Sequence, residues 1–304
     1  MKFSIWPMSN RTWTEIVDTA NFAESSGWFG LWFADHLMPN TEDGTADDGD
    51  THECWSVLAG LASMTSRLRL GSLVSPVTLH HPLVLAKRAV TVDHISNGRA
   101  VLGLGAGWQV NEHACAGIEL PPPGVRVDRF GEAIEIVHRV LRDQRVTSDG
   151  SWFRATDLPF QPKGVQQPLP IVVGTGSPRM SRLTARWAEE WNSWGNPTEL
   201  SRRSDIFNAA CEAEDRDPST VHRSAQAMVF ITEDPAKAMK LRERAPQDRS
   251  LIGGITEILD LVGAYSELDI DEFIVADFTL GSSHQERMDT YALIHEHVVT
   301  PLGG

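Results

Sequence analysis

Asp35 and His36 stand together at the end of the apolar run GLWFA, a carboxylate beside an imidazole. A near-neutral imidazole suits proton transfer, and an adjacent carboxylate can orient it or accept from a ligand. A histidine that only caps a loop would have the same local sequence. The second candidate is the run PIVVGTGSPR, in which an apolar strand enters Gly174-Thr175-Gly176. Ser177 suits an N-cap and Pro178 the first helical turn, leaving backbone N–H groups free to hold a phosphate. Arg179 would add a charge-assisted bond. A tight turn that holds nothing has the same pattern. A third group follows GLGAG: Trp108, Asn111, Glu112 and His113, of which Glu112 and His113 are candidate proton donors. His80 and His81, just before Pro82, suit ligand contact or loop packing. Trp32, Trp108, Trp191 and Trp194 fall in or near strand ends, where indoles could wall a planar ligand or simply fill space.

Other chemistries lack their residues. His52 and Cys54 have no second pair at metal-ligand spacing, and His295 and His297 point to different helix faces. In EDGTADDGD, Asp48 takes the place of the glycine a calcium loop needs if Asp43 is the first ligand. There is no GxSxG elbow and no GxxxxGK[ST] loop, and GLGAG is too short for a dinucleotide fingerprint. No metal site is expected. With 27 Lys+Arg against 41 Asp+Glu, the net charge of -14 argues against nucleic acid or anionic lipid as a partner. The 3 cysteines include no CxxC pair, as expected of reduced thiols in the cytoplasm. No signal peptide or membrane-length apolar run is evident, so a soluble protein is expected.

These candidates need a scaffold that gathers them. Strand-like runs occur at Phe3–Trp6, Gly30–Phe33, Leu68–Val74, Ala100–Leu104, Pro170–Val173, Trp191–Trp194, Ala225–Ile231 and Phe273–Phe278. Several are continuously apolar, as in a parallel sheet buried on both faces. Helical spacing lies between them: Val127, Phe130, Ile134, Val137 and Leu141 make one face, and Ile255, Ile258, Leu259 and Val262 another. Eight such units predict an α/β fold, a (β/α)8 TIM barrel forming one domain over residues 1–304. A doubly wound sheet would need a glycine-rich turn after the first strand, where Trp6-Pro7-Met8 stands. Asn40–Glu53 and Gln144–Gln167 read as insertions after strands 2 and 4. In such a barrel, chemistry sits at the C-terminal strand ends.

Taken together, the blocks GLWFADHL, LRLGSLVSPVTLHHPLVLAKRAVTVDHISNGRAVLGLGAGW, RVDRFGEAIEIVHRVL, PIVVGTGSPRMSRLTARWAEEWN and ITEILDLVGAYSELDIDEFIVADF resemble the luciferase-like flavin-dependent oxidoreductases. The resemblance is greatest to their deazaflavin (coenzyme F420)-dependent branch. It implies a barrel, usually dimeric, with the ring at the C-terminal mouth. By resemblance, Asp35 and His36 touch the ring and the reactive centre, and Leu73-Val74 is a non-prolyl cis peptide forming a bulge behind the ring. Asn111 then contacts the cofactor, and Gly174, Thr175 and Gly176 make the phosphate turn, with Ser177, Arg179 and Lys163 countering the acidic background. From their own places near strand ends, Trp108 and Trp194 are the residues expected to line the substrate pocket. Two departures disfavour a sugar-phosphate dehydrogenase: Trp108 stands where those enzymes place a catalytic glutamate, and Asn40 where they place an aromatic residue. The leading expectation is hydride transfer between F420 and a small organic substrate, with His36 moving the proton. Alternatives are an FMN-dependent monooxygenase supplied by a flavin reductase, and a deazaflavin-binding protein without catalysis.

Overall fold

The computed structural model describes residues 1–303. Eight strands, β1 (Lys2–Trp6), β2 (Gly30–Phe33), β3 (Arg69–Ser72), β4 (Ala100–Gly105), β5 (Ile171–Gly174), β6 (Glu190–Trp194), β7 (His222–Ile231) and β8 (Glu272–Ala276), follow one another around a ring. Each pairs in parallel with the next, and β8 returns to β1, so Ile5 lies beside Leu31 on one side and Val275 on the other. This is a closed parallel (β/α)8 barrel.

Strand alternation divides the apolar residues into two cores. Trp6, Trp32, Val101, Val172, Ile274 and Ala276 pack together inside the barrel. Their neighbours Ile5, Leu31, Phe33, Leu102, Val173, Phe273 and Val275 pack outward against the helices. Burial on both faces explains why the strands read as unbroken apolar runs. Gly71 makes room inside: a Cβ there would lie 2.3 Å from the Trp32 ring. On the outside, the helix Pro123–Arg142 buries Phe130, Ile134, Val137 and Leu141, the predicted face, and Ile255–Gly263 buries Ile258 and Val262.

Three segments differ from expectation. β3 is shorter than Leu68–Val74: the chain leaves the ladder after Ser72, the Leu73–Val74 bond is cis, and Ser75–Pro76 rejoins beside Leu104 and Gly105. Within Gln144–Gln167 lies an antiparallel hairpin, Arg145–Asp149 with Arg154–Pro159, largely solvent-facing and so lacking the apolar alternation that marks a half-buried strand. Ser250–Gly253 adds a short strand beside Met228–Ile231, outside the ring. The acidic stretch Asn40–Glu53 has no helix or strand and is folded by local turns, with Asp43 and Asp47 accepting from Thr45 and Gly49 N–H.

The N-terminal end of the barrel is closed by charge. Arg69 pairs with Glu190 and lies 3.8 Å from Glu272, which also accepts from Trp32 Nε1 (2.7 Å) and His222 Nε2 (3.2 Å). Burial pushes the Glu272 carboxyl up, but the His222 hydrogen bond and the Arg69 charge outweigh it and hold it below the ordinary range. Burial likewise disfavours charged His222, yet its bond to Glu272 and the surrounding carboxylates raise it above the ordinary value. Among the described residues no helix is long and apolar enough to cross a membrane, and no cluster could hold a metal ion.

Candidate active site

The opposite end gathers most of the sequence candidates. Asp35, just past β2, is buried and accepts from His80 Nε2 at 2.9 Å. Arg88 donates to His80 Nδ1 at 3.3 Å, which fixes the tautomer with the proton on Nε2. Burial pushes Asp35 up, but hydrogen bonds from His80 and Ser75 and the nearby imidazoles more than offset it, so its carboxyl sits below the ordinary range. Ser75 is itself held by Trp55 Nε1 at 3.0 Å. Asp35 is therefore a fixed negative charge.

His36 faces a different partner. Its Nδ1 lies 3.0 Å from Glu112 Oε1, while Glu112 Oε2 accepts the backbone N–H of Leu37 at 2.8 Å. A carboxylate only accepts, so the proton sits on Nδ1 and the Nε2 lone pair stays free; Nε2 has no partner among the described residues. Trp108 meets the ring edge-on at 5.6 Å between centroids. Glu112 thus orients His36 and, being fully buried, has no face toward the mouth. His113 is also buried and fully engaged: Nδ1 donates to the Gln109 carbonyl (2.7 Å) and Nε2 accepts from Thr78 Oγ1 (2.8 Å). That geometry leaves it no proton to exchange at the mouth.

The same short helix, Val110–Ala116, clips the loop after β2. Gln109 Nε2 donates to the Met38 carbonyl and Asn111 Nδ2 to that of Pro39, each at 2.9 Å. Asn111 Oδ1 is buried and accepts nothing. Behind this rim the cis Leu73–Val74 step fits between two glycines. A Cβ on Gly105 would lie 2.6 Å from Val74 Cγ2, and one on Gly174 would lie 3.5 Å from Val74 Cγ1.

Gly174 leads into the anion-type turn. Thr175 N–H donates to the Asn192 carbonyl (2.9 Å), Trp191 Nε1 holds the Thr175 carbonyl (3.0 Å), and Ser177 N–H donates to Thr175 Oγ1 (3.2 Å). Ser177 makes no side-chain cap to the ten-residue helix Pro178–Trp187, so that first turn keeps unmet N–H groups. The cation beside the turn is not the expected one. Arg179 points to Asp128 and the Gly124 carbonyl. Lys163 donates to the Val140 and Asp143 carbonyls at the C-terminal end of the helix Pro123–Arg142, whose partial negative charge attracts it, so it does not serve this rim. Arg203 packs against Gly176 instead, with Nη1 2.9 Å from where a Cβ would stand. Its Nε donates to Glu199 Oε1 (2.7 Å) and its Nη1 to Ser193 Oγ (3.2 Å). Hydrogen bonds from Arg202 and Arg203 bring Glu199 down to about 2.

Two of the four indoles do not wall the mouth. Trp32 is inside the barrel, bonded toward Glu272, and Trp191 stacks on Phe207 in the outer core, 4.8 Å away. Trp194 does face other aromatics: Trp6 at 5.6 Å and Phe278 at 6.1 Å, with Trp6 and Phe278 5.3 Å apart. His81 is a loop element, accepting from Leu83 N–H at the start of the helix Pro82–Ser96. Sequence reasoning missed Arg203, Trp6, Phe278 and the Asp35–His80 bond. Only the last had a local signal, in the paired histidines.

The profile of one protein family, described as luciferase-like monooxygenase, matches residues 1–292. The chain is 28% identical over 230 residues to an F420-dependent glucose-6-phosphate dehydrogenase of Kineococcus radiotolerans, covering 74% of this chain and 66% of that protein. It is 28% identical over 224 residues to an F420-dependent hydroxymycolic acid dehydrogenase of Mycobacterium tuberculosis, covering 73% of this chain and 61% of that one. The matches thus span less than two thirds of those relatives' own length. Among solved structures, an F420-dependent secondary alcohol dehydrogenase in complex with an F420-acetone adduct superposes with a TM-score of 0.85 at 17% identity, covering 100% of both chains. That likeness is one of fold.

Proposed function

The chain belongs to the luciferase-like monooxygenase family, and we propose that it is an oxidoreductase transferring a hydride between coenzyme F420 and a small organic substrate. The observation that carries this is the His36 imidazole, held by Glu112 with Nε2 free, at the same C-terminal end of the strands as the Val74 step seated between glycines. The F420 dependence of both curated relatives agrees with it.

The residues present suit the cofactor. A flat ring needs a firm backing, and Leu73–Val74 between Gly105 and Gly174 is one. Its pyrimidine portion offers an N–H, and Asn111 Oδ1 is a buried acceptor with no partner. Its phosphate needs donors and positive charge, which the Gly174–Ser177 turn and Arg203 would supply. When bound, the deazaflavin supplies the carbon that gives or takes a hydride.

The protein's share is orientation and proton handling. His36 Nε2 takes the proton from a substrate hydroxyl, or returns it to a substrate oxygen after protonation. Glu112 keeps the ring in the required tautomer by holding Nδ1–H. Asp35 remains charged, and its bond to His80 fixes the loop after β3 against the loop after β2. Trp108 and Trp194 border the substrate.

Titration with F420 and with FMN tests this. Micromolar binding of F420, with FMN at least tenfold weaker, is expected. Tighter FMN binding with oxygen consumption by the reduced flavin would move the protein to the monooxygenase reading, with a flavin reductase as partner. Tight F420 binding with no turnover across a broad substrate panel would leave a carrier. A homodimer goes with the family resemblance, and the open groove lined by Trp55, Ala59, Leu83 and Val84, between the helices Cys54–Met64 and Pro82–Ser96, offers it an apolar surface. The cysteines are unpaired, as in a reducing cytoplasm.

A further inference from the structure

We propose that the substrate of this site is a neutral, largely apolar molecule with a single oxygen function, received by the wall of Trp6, Trp194 and Phe278; this rests on the oxidoreductase reading above.

The wall is built rather than incidental. Its three rings come from the ends of β1, β6 and β8 and lie 5.3–6.1 Å apart. Asp277, beside Phe278, accepts from Met8 N–H (3.0 Å) and from Arg11 Nε (2.9 Å), so the loops after β8 and β1 are tied together. Thr279 is anchored in turn to the Val229 carbonyl of β7. Fixed aromatic rings present apolar area without first having to be ordered, which favours flat or alicyclic ligands.

The rim repeats this chemistry. Leu37 and Trp108, from the loops after β2 and β4, and Val110, which opens the helix Val110–Ala116, are each more than half exposed, and Phe278 is 37% exposed. Large apolar side chains left in water at one mouth mark a binding surface. Charge points the same way. In the connections from β1 to β6 and from β8 to their following helices, Arg11 is the only lysine or arginine, and it is paired with Asp277. The loop after β2 carries Glu42, Asp43, Asp47, Asp48 and Asp50. The connection after β7 carries Lys237, Lys240, Arg242, Arg244 and Arg249, of which Arg242 and Arg249 face Glu257 and Asp248, and Arg126 donates to the Gly107 carbonyl after β4. Arg203 lies at the turn assigned to the cofactor phosphate. At the wall itself the neighbouring cation, Arg11, is already paired with Asp277, so a phosphate or carboxylate seated against the three rings would meet no free countercharge there. Trp6 Nε1 is a buried donor with no acceptor among the described residues. In the oxidising direction an alcohol of this class would lose hydride from its carbon to oxidised F420 and its hydroxyl proton to His36 Nε2, leaving a ketone.

Acetophenone and glucose 6-phosphate serve as probes, measured by calorimetry and by quenching of indole fluorescence, with and without F420. Acetophenone should bind at least tenfold more tightly than glucose 6-phosphate. Phe278→Ala and Trp194→Ala should each weaken acetophenone about tenfold, the loss expected for one buried aromatic contact, and leave F420 affinity within about twofold. Tighter binding of glucose 6-phosphate, or acetophenone binding unchanged in both variants, would overturn the proposal. If F420 fails to bind but acetophenone follows this pattern, the cofactor reading falls and the wall stands. If F420 binds and acetophenone does not, the wall falls alone.

Discussion

Replacing Glu112 by glutamine tests the reasoning about His36 most directly. The carboxylate is buried and accepts two bonds, from Leu37 N–H at 2.8 Å and from His36 Nδ1 at 3.0 Å. Glutamine offers one acceptor oxygen and one NH2 group, so it cannot receive both donors. If its oxygen stays on the backbone N–H, which cannot turn away, its NH2 faces Nδ1. The imidazole then gains by moving its proton to Nε2. Losing one charge-assisted bond costs roughly 2 kcal/mol. That is about thirtyfold in the tautomer ratio and, with the acceptor lone pair gone from Nε2, about thirtyfold in the rate of substrate oxidation. Thermal stability should fall by about 4 °C. Nitrogen-15 NMR of the labelled imidazole reads the tautomer without needing a substrate, and single-turnover absorbance of the deazaflavin reads the rate. An unchanged tautomer, or a rate within threefold of wild type at full cofactor occupancy, would refute the assignment of Glu112 as the group that orients His36.

Other consequences follow from named contacts. Arg203→Met should weaken F420 about tenfold while leaving a deazaflavin without phosphate unaffected, whereas Arg179→Met, already turned to Asp128, should change either by less than twofold. Gly105→Ala puts a methyl 2.6 Å from Val74 and should destabilise the protein by roughly 1–3 kcal/mol in urea titration. Because Asp35 is held below its ordinary 3.8, its contribution to stability is complete above that pH and is lost as pH falls through the lower native value; urea midpoints of Asp35→Asn should show a flatter acid limb. His222 works in the opposite sense. Its native value is raised above 6.5, so its contribution is complete below that pH and fades as pH rises through the native value. Glu272→Gln should remove that alkaline loss of thermal stability.

The barrel was legible because strands buried on both faces cannot hide: each of the eight runs falls on an observed strand, with ends displaced by a few residues at most. The hairpin Arg145–Asp149 with Arg154–Pro159 was not, since strands facing water carry no apolar alternation. Residues close in the chain to their partners were also readable. Gly174-Thr175-Gly176-Ser177 makes its turn from adjacent backbone. Arg203 reaches the same turn from the helix Pro197–Ala213, 27 positions beyond Gly176, and only folding brings them together. The tryptophans divide for a similar reason. Along β6, Trp191 and Trp194 are three apart and must face opposite sides of the sheet, so one packs under the helices while the other reaches Trp6. The sequence shows both indoles near a strand end, but which one faces inward depends on register.

The seating of Val74 between Gly105 and Gly174 separates two kinds of inheritance. What would receive the cofactor is made of backbone and missing side chains on β4, β5 and the step after β3, where an added methyl on Gly105 has nowhere to go. What would meet the substrate is carried by Leu37, Trp108, Val110 and Phe278, exposed residues outside the strands whose replacement disturbs no ladder. A lineage built this way can keep its redox partner while exchanging its substrates one loop at a time. Directed evolution of this chain would find its freedom in those four positions and its lethal changes among the glycines.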